Sequence, residues 1–224
     1  TGVEGLDEML GGAGFYRGTS ILVSGTAGTG KSSMAATFAD AACRRGERCL
    51  YFAFEESPQQ IIRNMRSIGI DLEQWMDAGN LQVRAERPYR YGLEEHQLRM
   101  QQAVQDFEPH VVVVDPLSNL REMGGVRETK HTLTQLVDFL KSRQVTALFT
   151  DLTQAGTASE QTQSRISSLM DSWLLLRDAE RDGERNHLLY VLKSRGMAHS
   201  RQLREFRMTT DGLELVDVYM GEEG

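Results

Sequence analysis

Residues Gly25-Thr26-Ala27-Gly28-Thr29-Gly30-Lys31-Ser32 form a complete G-x-x-x-x-G-K-[ST] loop between the apolar run Ile21-Leu22-Val23 and an alanine-rich stretch. The flanks matter as much as the loop. A phosphate-binding loop of this kind joins a strand to a helix, because its glycines let successive backbone N–H groups converge on phosphate while the helix adds the positive end of its dipole. Lys31 would reach the β- and γ-phosphates, and the Ser32 hydroxyl would complete the shell of a Mg²⁺ ion. Thr26, Ala27, Gly28, Thr29, Gly30, Lys31, Ser32 and Ser33 are therefore the candidate nucleotide contacts, with ATP and Mg²⁺ the expected ligands.

Outward from the loop, short β-rich runs alternate with helical patterns, the signature of parallel βαβ units. Strands are expected at Ser20 to Ser24, Cys49 to Phe54, Leu81 to Ala85, Val111 to Asp115, Thr146 to Thr150 and Ser172 to Leu176. Between them, Lys31 to Arg44, Pro58 to Ser67, Leu93 to Phe107 and Thr129 to Ser142 carry apolar residues at three- and four-residue spacing and read as helices. After Leu176 the pairs Asp182-Gly183 and Asp211-Gly212 punctuate alternating runs, which predicts hairpins that extend the sheet. The expected fold is α/β, a mostly parallel sheet flanked by helices, in one domain over residues 1–224 excised from a longer protein.

Composition narrows the function classes. The chain has 224 residues, 40% hydrophobic and 25% charged, with a net charge of −7. That balance weighs against a protein whose main ligand is the nucleic-acid backbone, since neutralisation of phosphates by Lys and Arg supplies most such affinity. No apolar run reaches the roughly 20 residues of a membrane span. Cys43 and Cys49 form no C-x-x-C pair and read as free thiols, which makes the cytoplasm the expected location.

Two further segments carry chemistry. His110-Val111-Val112-Val113-Val114-Asp115 is an apolar run ending in a carboxylate, the form of a Walker B strand whose Asp115 would face Mg²⁺; a simple turn cap before Pro116 is the alternative. Phe54-Glu55-Glu56-Ser57 follows the second strand, where a proton acceptor near the γ-phosphate is needed. Because neighbouring strand side chains point to opposite faces, Glu55 is expected to be the principal base and Glu56 its support. Equally, Glu56 and Ser57 could serve the N-terminus of the helix that opens at Pro58.

Together with the opening Thr1-Gly2-Val3-Glu4-Gly5-Leu6-Asp7 through Arg17-Gly18, with Lys193-Ser194-Arg195-Gly196 and with Arg204-Glu205-Phe206, these motifs resemble the KaiC family of RecA-like ATPases over essentially the whole chain. The likeness points to the second, autokinase domain of a bacterial KaiC homologue. It implies a homo-hexamer with ATP between subunits, regulatory protein partners, and Lys193 and Arg195 acting in trans on the neighbour's phosphates, with His199 as an accessory nucleotide contact. Read without the resemblance, Lys193 and Arg195 are ordinary hairpin-end cations. Ser167 and Ser168 fall on the adjacent hydroxyls that in such domains receive phosphate from the neighbour's ATP; Ser168 stands where the best-known pattern has threonine, and Thr162 lands on a further threonine. In this segment Ile166, Leu169, Met170 and Trp173 are expected to share one helix face with the serines at its flank. Two serines in a polar helix are otherwise unremarkable surface.

Two rival readings stand beside a phosphorylation-state switch of the clock-protein type. A RecA-type recombinase would need basic or stacking side chains after Thr150, yet residues 151 to 164 contain no Lys, Arg or aromatic. A nucleotide-gated scaffold with slow turnover would use the same ATP as glue.

Overall fold

In the computed structural model, which describes residues 1–153, 168–181 and 184–218, the apolar runs pair into one nine-stranded sheet of order β3-β2-β4-β5-β1-β6-β7-β8-β9. The strands are β1 (Ser20–Gly25), β2 (Cys49–Ala53), β3 (Leu81–Ala85), β4 (Val111–Asp115), β5 (Thr146–Leu152), β6 (Ser172–Arg181), β7 (Glu184–Ser194), β8 (Arg204–Thr209) and β9 (Gly212–Val218). Strands β1 to β6 pair in parallel, whereas β6 to β9 run antiparallel, so the expected change of texture after Leu176 is a change of sheet type. Asp211-Gly212 lies at the β8–β9 turn; Asp182-Gly183 falls outside the described residues.

Helices cover both faces: α1 (Glu4–Met9), α2 (Lys31–Arg44), α3 (Pro58–Arg66), α4 (Glu73–Asp77), α5 (Leu93–Phe107), α6 (Leu117–Glu122) and α7 (Val126–Ser142). The strand alternation decides which face each residue joins. Ile21, Val23, Tyr51, Val113 and Leu148 pack with α1 to α4, while Leu22, Phe52, Val112, Val114 and Phe149 pack with α5 to α7. Each such side chain contributes about 1.5–3 kcal/mol by leaving water. On α2, Ala35, Ala36, Ala39 and Ala42 are fully buried, which lets this helix lie close against the sheet behind the loop it follows. At the start of α3, Ser57 and Gln60 form a capping box, with Pro58 in the first turn.

Three short helices were not anticipated, and one expectation needs correction. The short helices α1, α4 and α6 carry too few turns to show a period. The helix face drawn through Ile166, Leu169, Met170 and Trp173 does not form over its described part: Ser168 and Leu169 lie in a turn, and Trp173 belongs to β6 opposite Leu22. Its indole Nε1 donates to Ser24 Oγ at 2.7 Å. Pairing along the whole of β1 outweighs a three- and four-residue spacing that a strand can also display.

Candidate functional site

The connection from β1 to α2 lies at the carboxyl ends of the parallel strands, where β1 sits between β5 and β6 and the chain crosses over to β2. Such a crossover leaves a crevice, the usual ligand position in a parallel α/β sheet. Gly30 caps α2 with φ +86°, a left-handed conformation that a side chain would strain. Lys31 is 9% exposed, and its Nζ donates to the Thr26 carbonyl at 2.5 Å, which also accepts from Thr29 Oγ1 at 2.9 Å. The loop thus keeps its shape through internal bonds. Burial lowers the Lys31 pKa, and Asp115, Asp151, Glu55 and Asp178 act in the opposite direction. A Cβ added at Gly28 would meet no atom within 4 Å, so its backbone is open to a ligand.

A cleft of about 480 Å³ opens over the loop, lined there by Ala27, Gly28, Gly30, Lys31, Ser32 and Ser33. Glu55, Glu56 and Asp115 also line it, as do Asn64, Leu152 and Met208. Asp115 ends β4, where Tyr51 donates to its Oδ2 at 2.6 Å and the Thr150 hydroxyl donates to Oδ1. Strand β2 ends at Ala53, so Glu55 and Glu56 lie in a bend and strand alternation does not separate them. Both face the cleft. Burial and then Asp115 raise the Glu55 pKa, opposed by Lys31. Glu56 accepts from Asn64 Nδ2 at 3.2 Å, which ties it to α3, while the N-cap of that helix is Ser57 and not Glu56.

A second cluster occupies the opposite end of the sheet. Ile21 pairs with Ser172, which pairs with Ser194. Ser194 therefore sits level with a residue four positions before Gly25, about 13 Å away along a strand. Beside it the Arg195 N–H donates to the Asp171 carbonyl and its Nη2 to the Ser168 carbonyl, each at 2.8 Å. Lys193 is opposite Trp173. His199 follows the turn after β7, its Nδ1 3.5 Å from the Met197 carbonyl, and does not line the cleft.

Comparison with known proteins agrees with this architecture. The profile described as "ATPase: KaiC" matches residues 1–220. The chain belongs to the KaiC family of ATPases. It is 53% identical over 99% of its length to the circadian clock protein KaiC2 of Synechocystis sp., of which it covers 39%. Against KaiC3 of the same organism the identity is 40%, over 96% of this chain and 43% of that protein. With the circadian clock oscillator protein KaiC of Thermostichus vulcanus it is 36%, over 100% and 43%. The chain thus spans about two-fifths of the length of these relatives.

On this KaiC-family fold the expected nucleotide residues divide. The structure brings the loop, Glu55, Glu56 and Asp115 into one cleft, with Thr29 fully buried beneath it as a brace. Lys193 and Arg195 are not part of it. Ser168 is exposed in its turn, whereas Ser167 and Thr162 lie outside the described residues. Sequence reasoning missed Tyr51 and Thr150, which orient Asp115, because a tyrosine and a threonine within strands read as core. Among the described residues no three His, Cys, Asp or Glu cluster as a metal cage. Mg²⁺ needs none: it takes one or two carboxylates beside phosphate oxygens and water. Asp115, held by two donors and lining the same cleft as Ser32, fits that demand.

Proposed function

We propose that this chain is one ATPase domain of a longer, two-domain KaiC-type protein, and that it hydrolyses ATP and transfers phosphate to Ser167 or Ser168 of a neighbouring copy in a homo-hexameric ring. Its phosphorylation state would then be read by regulatory protein partners in the cytoplasm. One observation carries the reading: Ser168 and Arg195 touch each other at the end of the sheet remote from their own phosphate-binding loop. Transfer to Ser168 therefore calls for a second copy, and the same placement suits Lys193 and Arg195 to a neighbour's nucleotide, with His199 as an accessory contact.

The chemistry is mainly positioning. The backbone of residues 26–33 and the Lys31 ammonium hold the β- and γ-phosphates. Asp115 and Ser32 would hold Mg²⁺, which supplies charge neutralisation across the phosphates. A serine Oγ–P bond forms as the bond from the γ-phosphorus to the bridging oxygen breaks, ADP departs, and the serine proton passes to Glu55. The raised Glu55 pKa makes that carboxylate a better acceptor. Glu56, anchored by Asn64, keeps the bend in place. With water in place of serine the same groups give hydrolysis.

Incubation with Mg²⁺ and γ-labelled ATP followed by mass spectrometry tests this. Label is expected on Ser167 or Ser168 and absent from the Ser167→Ala/Ser168→Ala variant, which still hydrolyses ATP. Mixing a Glu55→Gln chain with that double variant should label only the former. Phosphate released with no label on protein would refute the kinase and leave an ATPase, with the nucleotide acting as glue between copies.

A further inference from the structure

Phe206, which closes the Arg204-Glu205-Phe206 run of β8, is 1% exposed and does not line the cleft. Its neighbours place it against the phosphate loop all the same. A Cβ added at Gly30 would lie 3.2 Å from Phe206 Cε2 and 3.3 Å from Cζ, so the rim of the ring abuts the residue that caps α2. Strand alternation carries Met208, two residues on, to the same face, and Met208 lines the cleft. The ring is itself held from the side. Register sets Asp178, His187 and Phe206 opposite one another on β6, β7 and β8. The His187 imidazole stacks on the Phe206 ring, with centroids 5.4 Å apart and planes at 26°, and its Nδ1 donates to Asp178 Oδ1 at 2.7 Å. Asp178 also acts through space on the Lys31 ammonium. A row of side chains from three strands thus ends on Gly30 without entering the cleft.

We propose that Phe206, held by His187, is a positioning residue for the phosphate loop: it keeps Gly30 in its left-handed conformation, and so keeps Lys31 and the N–H groups of residues 28–32 aimed at phosphate before a ligand arrives. The inference rests on the reading of that loop as the nucleotide site. Glycine has no side chain to pack and visits positive and negative φ about equally, so nothing in Gly30 itself selects its φ of +86°. The bonds of Thr29 and Lys31 to the Thr26 carbonyl tie the loop to itself, and the Met34 N–H donates to the Gly30 carbonyl at 2.9 Å. Neither bears on the side where Gly30 lacks a Cβ; the Phe206 rim fills that side. With a smaller side chain there, Gly30 samples other conformations in the free protein and the ligand must order it. Fixing one residue's backbone on binding amounts to on the order of tenfold in affinity, and the loss falls on the phosphates alone.

Calorimetric titration with Mg²⁺-ATP and with Mg²⁺-tripolyphosphate, which has the phosphates and no nucleoside, tests this. Phe206→Leu is expected to weaken both ligands by the same factor of about ten. His187 is 25% exposed, so His187→Ala leaves the core closed and should weaken both about threefold; because it acts through the ring, it should add nothing in the Phe206→Leu background. In steady-state hydrolysis KM for ATP should rise by the factor seen in binding, with kcat held within about twofold, since the loop grips the phosphates alike in ground and transition states. A Phe206→Leu chain with undiminished affinity, a loss for ATP without one for tripolyphosphate, or a fall in kcat at unchanged KM would overturn the proposal. Should Phe206→Leu fail to fold, Phe206→Met carries the same comparison. A parent chain that binds neither ligand would sink the nucleotide reading and this inference with it, whereas a parent that binds both beside an unimpaired Phe206→Leu sinks this inference alone.

Discussion

Replacing Asp151 by asparagine is expected to stabilise the protein at neutral pH and to flatten its pH dependence on the acid side. Asp151 lies near the end of β5 and is 1% exposed; its Oδ1 meets Arg121 Nη2 at 2.5 Å, while Oδ2 has no hydrogen-bond partner. Burial, only partly offset by Arg121, Lys31 and the Leu152 N–H, pushes its carboxyl from 3.8 up to about 6. An acid with a higher pKa folded than unfolded binds more protons in the folded state between the two values, so stability falls as pH rises from about 4 to about 6 and stays lowered above. A gap of roughly two pKa units amounts to about 3 kcal/mol at neutral pH. Arg121, 28% exposed, reaches water when its partner loses charge, and its attraction is already contained in that gap. The gain of about 3 kcal/mol corresponds to roughly 6–12 °C at this chain length. Thermal melts of Asp151→Asn and the parent without nucleotide, from about pH 5 to pH 8, should show a gap that widens to about pH 7 and then levels. A variant that melts lower at neutral pH, or a gap independent of pH, would refute the reasoning.

Other perturbations probe the site and its frame. Tyr51→Phe removes the 2.6 Å bond to Asp115 Oδ2; a hydrogen bond to a charged group is worth about 1.5–3 kcal/mol, so titration calorimetry should show Mg²⁺-ATP binding weakened at least about tenfold with the fold intact. Lys31→Ala should abolish both ATP binding and ring assembly, read by calorimetry and light scattering; a variant that binds no nucleotide yet stays fully assembled would count against ATP as a bridge. Gly69, with φ +76°, brings its backbone against the β8–β9 turn, where a Cβ would lie 1.9 Å from the Thr210 carbonyl oxygen. Gly69→Ala should cost at least about 3 kcal/mol in a denaturant titration, and an unchanged midpoint would contradict that contact.

How much could be read in advance varies with the physical range of the signal. The helices Lys31–Arg44 and Leu93–Phe107 and the strands Leu81–Ala85 and Val111–Asp115 lie where periodicity and punctuation place them, because a helix or strand several residues long repeats its buried face. The six-residue α1 and α6 repeat too little to be seen. The Glu55-Glu56 pair was legible as chemistry but not as geometry: strand alternation was applied past Ala53, where β2 has already ended. Trp173 satisfies two readings: it lies in the expected strand Ser172 to Leu176, which the structure bears out, and Leu169, Met170 and Trp173 also fit a helical spacing that a turn followed by a strand displays as readily.

By itself the sequence determined the phosphate loop, its strand–loop–helix setting and the apolar strand ending in Asp115. These follow from backbone conformation and from alternation within a few residues, which are local properties. Only the tertiary structure decided that Tyr51 and Thr150 aim at Asp115, that Asp151 is shut away with Arg121, and that Arg195 and Ser168 meet at the end of the sheet remote from the loop. Those pairings join residues 27 to 64 positions apart. Strand order and register bring them together, and burial between the packed layers then fixes which polar groups must find each other.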